Sequence, residues 1–344
     1  MNKIILLIIA TIFLSFYGCE FYDHSNPLDP DYKGEMPFVK SVKQVYEIGS
    51  EANCIKAVSE NNIYVGTNNG IYHYDGGNWT KMSMPIQNLV INDIEITQNG
   101  VIYSVGSPYK LEGNDSTYVF KYDGINWFKI FSQPSEYYYS RTYNDEFVKL
   151  SILGESDIYI VYSTQASTNK DKVFRWYNGI VSSFEFSEDI YDIKVIETNK
   201  FYVLGKTKVW SYLGTSILPY FDISGKSFTE FQLLNPQTIY LFGIQGSNDY
   251  PALYKYKDGT LTSISSLTNR DKVFGVNFLD ENFGAIITGV GNFIIYDKGT
   301  YSSYNILRKN TVPLYDVEMI SKEVGYAVGA NGKILKYGDF PLER

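Results

Sequence analysis

Acids set between glycines and aromatic residues are the first chemically suggestive feature of the chain. Asp75 lies in the run Tyr74-Asp75-Gly76-Gly77-Asn78-Trp79, and Asp123 in Tyr122-Asp123-Gly124-Ile125-Asn126-Trp127. A carboxylate in such a setting can serve as a general acid or base, as an oxygen ligand to a metal, or as an acceptor that caps a turn. The two runs occupy equivalent places in a repeat whose fourth copy carries Leu213 there. An acid that the repeat can drop belongs to the scaffold, so Asp75 and Asp123 are expected to be structural turn caps, and no catalytic residue is assigned. A second chemical grouping is Tyr137, Tyr138, Tyr139 and Tyr143 beside Arg141. Tyrosine and arginine offer large contact area with few rotors to freeze, which suits ligand binding.

Other chemistry is sparse. His24 and His73 are the only histidines, which excludes a histidine-rich metal site, and no metal or other cofactor is expected. The segments EGNDST and GSNDY could offer oxygen ligands to calcium but lack the spacing of a calcium loop. No nucleophile elbow, phosphate loop or dinucleotide fingerprint is present. The net charge of -8 argues against a nucleic-acid partner, which would demand a concentrated basic face.

The first thirty residues read as an address. Lys3 precedes an apolar run from Ile4 to Phe16, too short to span a bilayer, and Gly18-Cys19 follows. This is the layout of a signal peptide over 1–18. A Pro-, Asp- and Asn-rich stretch over 19–37 then reads as a tether. The cysteine directly after a small residue resembles the lipobox of bacterial lipoproteins, although Phe16 and Tyr17 stand where that motif prefers Leu and a small residue. The resemblance implies acylation of Cys19, attachment to a lipid bilayer, and a place in the cell envelope, at the outer membrane of a Gram-negative bacterium. Cys54, the other cysteine, is then left as a small buried apolar group.

The elements that must position these residues form a repeat over 38–344. A tyrosine precedes a tight turn at 74, 122, 177, 212, 256, 296 and 337, about 35 to 55 residues apart. Each unit also contains a leading segment, such as CIKAVSE, INDIEITQ, YDIKVIE or LYDVEMIS, and a second apolar segment, such as NIYVGT. With aromatics at 17% of the chain and no helical periodicity, four antiparallel strands per unit are expected. Seven such units predict an all-β fold, a seven-bladed β-propeller of four-stranded blades. The seventh unit stops after its third strand, and a spare strand-like run at 42–49 precedes the first. That run is predicted to complete the last blade and close the ring.

The runs YVGTNNGIYHYDGGNW and VGYAVGANGKILKYGD resemble the repeats of BNR (Asp-box) propellers, in particular photosystem II assembly factor-like repeats and the sensor propellers of two-component regulators. The resemblance spans roughly residues 40 to 340 and implies the propeller fold, with the turn Asp and Gly as structural residues. Sialidases share this repeat and need an arginine triad. This chain holds arginines only at 141, 175, 270, 308 and 344, which counts against that activity.

Loop lengths locate a binding surface. Turns between first and second strands, and between third and fourth, are tight and share one face; every long connection falls on the other. Those long loops carry Tyr109, Tyr250 and the 133–146 connection with Tyr137, Tyr138, Tyr139, Arg141 and Tyr143. The expected function is a lipid-anchored, non-catalytic binding or assembly module for an envelope protein or glycan. A polysaccharide-active enzyme, a hydrolase or lyase, is the alternative, and a structural subunit of an envelope complex is a third reading.

Overall fold

Twenty-eight strands, grouped in seven four-stranded sheets, make up nearly all of the structure described by the computed structural model. The described residues are 38–108, 116–134, 148–162, 171–243, 253–264, 272–305 and 312–341. By its contacts the chain divides into two compact units, Val42–Tyr337 and Met1–Ser41 with Gly338–Arg344. The described part of the second unit is a pair of strand stretches, 38–41 and 338–341, where Lys40 and Asp339 form an ion pair at 3.0 Å.

The first unit is the seven-bladed β-propeller that the repeat predicts. Six blades take four consecutive strands each, in sequence order from the axis outward. In the seventh, the strand order runs from Leu314–Met319 through Gly325–Gly329 and Lys333–Pro341 to Phe38–Glu47. The first strand among the described residues thus closes the ring, beginning four residues before the predicted 42 and ending at 47. It stops there because Gly49, at φ 75°, turns the chain toward blade one.

Burial explains why each segment takes its place. Second strands such as Asp157–Tyr162 and Phe283–Thr288 are buried along their whole length, so they read as near-continuous apolar runs. Both of their faces meet a neighbouring blade. Outer strands such as Ile180–Glu185 are largely exposed and tolerate serine and glutamate. Apolar side chains of adjacent blades interdigitate in seven separate clusters, one per junction; Cys54, Ile91, Ile94 and Phe120, for example, share the junction of blades one and two.

The seven inner strands are Ala52–Ser59, Leu89–Ile96, Val148–Gly154, Ile190–Glu197, Glu230–Asn235, Val273–Asp280 and Leu314–Met319. Each is paired on one edge only, so its other edge offers unpaired backbone groups toward the axis. A side chain of the preceding blade satisfies that edge at every junction. Leu150 N donates to Asp93 Oδ2 at 2.9 Å, Phe231 N to Asp192 Oδ2 at 3.1 Å, and Ile55 N to Asp316 Oδ2 at 2.8 Å. Val195 N donates to Ser151 Oγ, Phe278 N to Gln232 Oε1, and Met319 N to Asn277 Oδ1. Asn53 completes the set by donating from Nδ2 to the Ile91 carbonyl.

Candidate functional site: the polar axis

The inner strands carry their chemistry in tiers. One position of each strand supplies Cys54, Asp93, Lys149, Asp192, Glu230, Gly275 and Asp316. Two residues further along come Lys56, Glu95, Ser151, Lys194, Gln232, Asn277 and Glu318. A register shift just before the first tier, at Ala52/Cys54, Ile91/Asp93, Ile190/Asp192, Val273/Gly275 and Leu314/Asp316, re-aims these side chains. It also explains why Ile91 and Ile94, three residues apart, are both fully buried.

The tiers are tied together across the ring. Lys149 of blade three reaches Glu230 of blade five at 3.1 Å, passing over blade four. Lys56 Nζ stands 3.7 Å from both Glu95 and Glu318, so one cation is shared by two carboxylates. Asn277 Nδ2 donates to Glu318 at 3.3 Å, and Lys194 pairs with Asp192 at 3.3 Å. In all, six carboxylates meet three ammonium groups along the axis, an excess of negative charge.

Crowding shifts the titration of these groups. Burial, opposed by the Lys149 ammonium, pushes the Glu230 carboxyl up to about 7. Burial likewise lifts Asp316 to about 6, and raises Glu95 and Glu318 against the pull of Lys56. The flanking Glu318 and Glu95 hold Lys56 firmly protonated. For Lys149, burial works against the charge but Glu230 and the axial aspartates outweigh it. The Cys54 thiol, buried and facing Asp93 and Asp316, is pushed well up and stays neutral.

The three axial aspartates have both carboxylate oxygens engaged. Besides the inter-blade bonds, Oδ1 of Asp93, Asp192 and Asp316 accepts from Ile94 N, Ile193 N and Val317 N at 2.9, 2.7 and 2.8 Å. Such groups form a rigid frame. Among the described residues, no three His, Cys, Asp or Glu side chains converge in a geometry that could hold a metal ion.

The residues singled out from sequence fall elsewhere. Asp75 Oδ1 accepts from Gly77 N and Asn78 N at 2.9 and 2.8 Å, and Asp123 Oδ1 from Ile125 N and Asn126 N at 2.8 Å each. These bonds draw both carboxyls below their ordinary value. Gly76 and Gly124 take φ of 93° and 99° in the same turns. Trp79 stacks on Tyr74 and Trp127 packs tilted against Tyr122, each pair with ring centroids 5.1 Å apart. Cys54 is buried and unpaired with any other cysteine. Arg175 grips Asp157 through Nε and Nη2 at 2.6 and 2.8 Å, in the third strand of its blade. Cys19, Tyr109, Tyr137, Tyr138, Tyr139, Arg141, Tyr143 and Tyr250 lie outside the described residues. Nothing in the sequence reading singled out the axis. The available signal was the recurrence of an acid or lysine at one or both of the same two positions in six of the seven leading segments.

No family model matches the chain, and no curated protein matches it. Solved structures do. YCF48 bound to D1 peptide is similar at 12% identity and TM-score 0.62, over 88% of this chain and 99% of that one. A catalytically inactive virginiamycin B lyase from Staphylococcus aureus shows 12% identity and TM-score 0.61, over 88% and 99%. The extracellular domain of the putative one component system BT4673 from B. thetaiotaomicron shows 15% identity and TM-score 0.58, over 88% of this chain and 40% of that one. At such identities the likeness speaks for the fold, and the fold shared with these proteins is the β-propeller.

Proposed function

We propose that the protein is a non-catalytic binding or assembly module of the cell envelope, lipid-anchored through Cys19, with a protein segment as its ligand. The observation that carries this reading is the state of the axial carboxylates. Asp93, Asp192 and Asp316 have both oxygens committed to backbone N–H groups, and Glu230 is paired with Lys149. Acids held in this way are acceptors already engaged and fixed in place, a rigid frame that suits a binding scaffold better than proton transfer. Peptide binding by one similar propeller, YCF48, supports the ligand class.

Two measurements test the reading. Membrane fractionation of the full chain against Cys19→Ala should move the variant into the soluble fraction; co-sedimentation of both removes the anchor. Screening the purified protein against peptide and polysaccharide arrays should give peptide binding without turnover. Binding confined to glycans replaces the ligand class, and hydrolysis or elimination of any polysaccharide overturns the non-catalytic reading.

A further inference from the structure

The outer strand ends the hydrogen-bonded ladder of each blade and leaves a row of backbone groups facing outward, a ready template for another strand. Six of the seven outer strands are poor templates. Those of blades one and five, Trp79–Lys81 and Thr260–Ser263, are only three and four residues long. Trp127–Pro134 in blade two carries Lys129 and a terminal proline, and Ile130 bulges out of its register. Ile217–Asp222 in blade four holds Pro219, with Tyr220 bulged beside it. Phe38–Glu47 in blade seven carries Lys40 and Lys43, and Thr300–Asn305 in blade six has no aliphatic residue to anchor a partner. Ile180–Glu185 in blade three is the exception. It pairs with Lys172–Tyr177 in unbroken register, holds neither proline nor lysine, and exposes Ile180 and Val181 by 70% and 46%. Among the described residues, no strand pairs with its outer edge.

The turn Asn178-Gly179, at φ 49° and 84°, fixes which backbone groups face outward. A two-residue turn of this kind makes Tyr177 and Ile180 a hydrogen-bonded pair, and at the far end Phe186 N donates to the Asp171 carbonyl at 3.0 Å. Alternation between those ends turns Ile180, Ser182 and Phe184 inward and aims the N–H and C=O of Val181 and Ser183 outward. The edge is complementary to itself. With two copies laid antiparallel about a two-fold axis at Ser182, Val181 meets Ser183 of the second copy, and each such pair exchanges two backbone bonds. Ile180 then falls opposite Phe184 of the second copy, an apolar pair that the symmetry makes twice. No like charges are opposed, because Glu185, already 3.7 Å from Lys172, falls opposite the turn glycine. We propose that blade three joins a second copy of this chain through Ile180–Phe184, so that two four-stranded blades become one continuous sheet. An isologous contact of this kind closes at two copies. It stands independently of the ligand-binding reading.

Light scattering and cysteine cross-linking test it on the full chain carrying Cys19→Ala, in which the remaining cysteine, Cys54, is buried. Light scattering should give the mass of a dimer. Ser182→Cys sets two thiols across the two-fold axis on Cβ atoms about 4.5 Å apart, within reach of a disulfide. Under mild oxidation it should form a covalent dimer about tenfold faster, or more, than Ser302→Cys, the equivalent position of blade six. Ser183→Pro removes an outward N–H at no cost to the ladder inside the blade, and should give a monomer and abolish the cross-link. Ser303→Pro, its counterpart in blade six, should leave the dimer intact. Circular dichroism and melting establish that each variant is folded. Val181→Lys, which sets two like charges on one face of the joint sheet, gives the same reading if the proline variant unfolds. A monomer at every concentration overturns the proposal. A dimer that survives both Ser183→Pro and Val181→Lys, or Ser302→Cys bridging as fast as Ser182→Cys, puts the contact elsewhere and overturns it as well.

Discussion

At the residue scale, the axial aspartates hold the blades together through bonds that no other residue type reproduces fully. Asp93→Ala strands the N–H groups of Ile94 and Leu150, both buried, and should cost about 2–4 kcal/mol in urea denaturation. Asp93→Asn keeps one acceptor and should fall between wild type and alanine; equal losses for the two would show that packing, not the second oxygen, is what matters. Asp75 has a different role. Its carboxyl is depressed by the N–H groups of Asn78 and Gly77, so its contribution exists above the unfolded value of 3.8 and fades as pH falls through the lower folded value. The melting temperature of Asp75→Asn should therefore lie below wild type at pH 7 and converge with it in strong acid. A gap that persists there would mean the charge does not cap the turn.

At the element scale, the closing strand is the vulnerable one, because it is contributed from the other end of the chain. Val42 is buried with Phe293, Leu314, Leu335 and Tyr337, and Val42→Ala should cost about 2 kcal/mol, read as a lower urea midpoint at unchanged slope. The Ile48 amide, bonded to the Gly332 carbonyl at 2.9 Å, should lose protection from hydrogen exchange in the same variant. Elements were also the level most legible in the sequence. The tyrosines at 74, 122 and 177 mark the ends of third strands because the turn that follows is local chemistry, written within a few residues. The strand closing the ring was legible from a missing partner. The axis was not. Its register shifts break strict alternation, so the acids of INDIEI and YDIKVIE read as a solvated strand face. What brings Lys149 beside Glu230 is closure of the ring, 81 residues apart in sequence.

At the scale of the whole molecule, the axis makes stability depend on pH. Glu230 titrates near 7 in the folded state against 4.5 in the unfolded chain, so the folded protein holds that proton more tightly. The stabilisation is complete below pH 4.5 and is lost as pH rises through about 7. Asp316, raised to about 6, adds to the same trend. Melting curves from pH 5 to 8 should show wild type losing ground to Glu230→Gln as pH rises, and a constant difference would show that the Glu230 charge is not strained. The distribution of charge along the axis has a further consequence. A propeller built from seven identical blades would place seven copies of one side chain in the same narrow ring. Had that side chain been the aspartate of blade two or the lysine of blade three, seven like charges would have confronted each other with little water between them. Symmetry is therefore forbidden to the inner strand in a way it is not to the outer turn, where Tyr recurs seven times at no electrostatic cost. Divergence among the leading segments is a condition of keeping a charged axis. A consensus protein averaged over these blades would need neutral residues at both tiers to fold, and would lose the axis by gaining its symmetry.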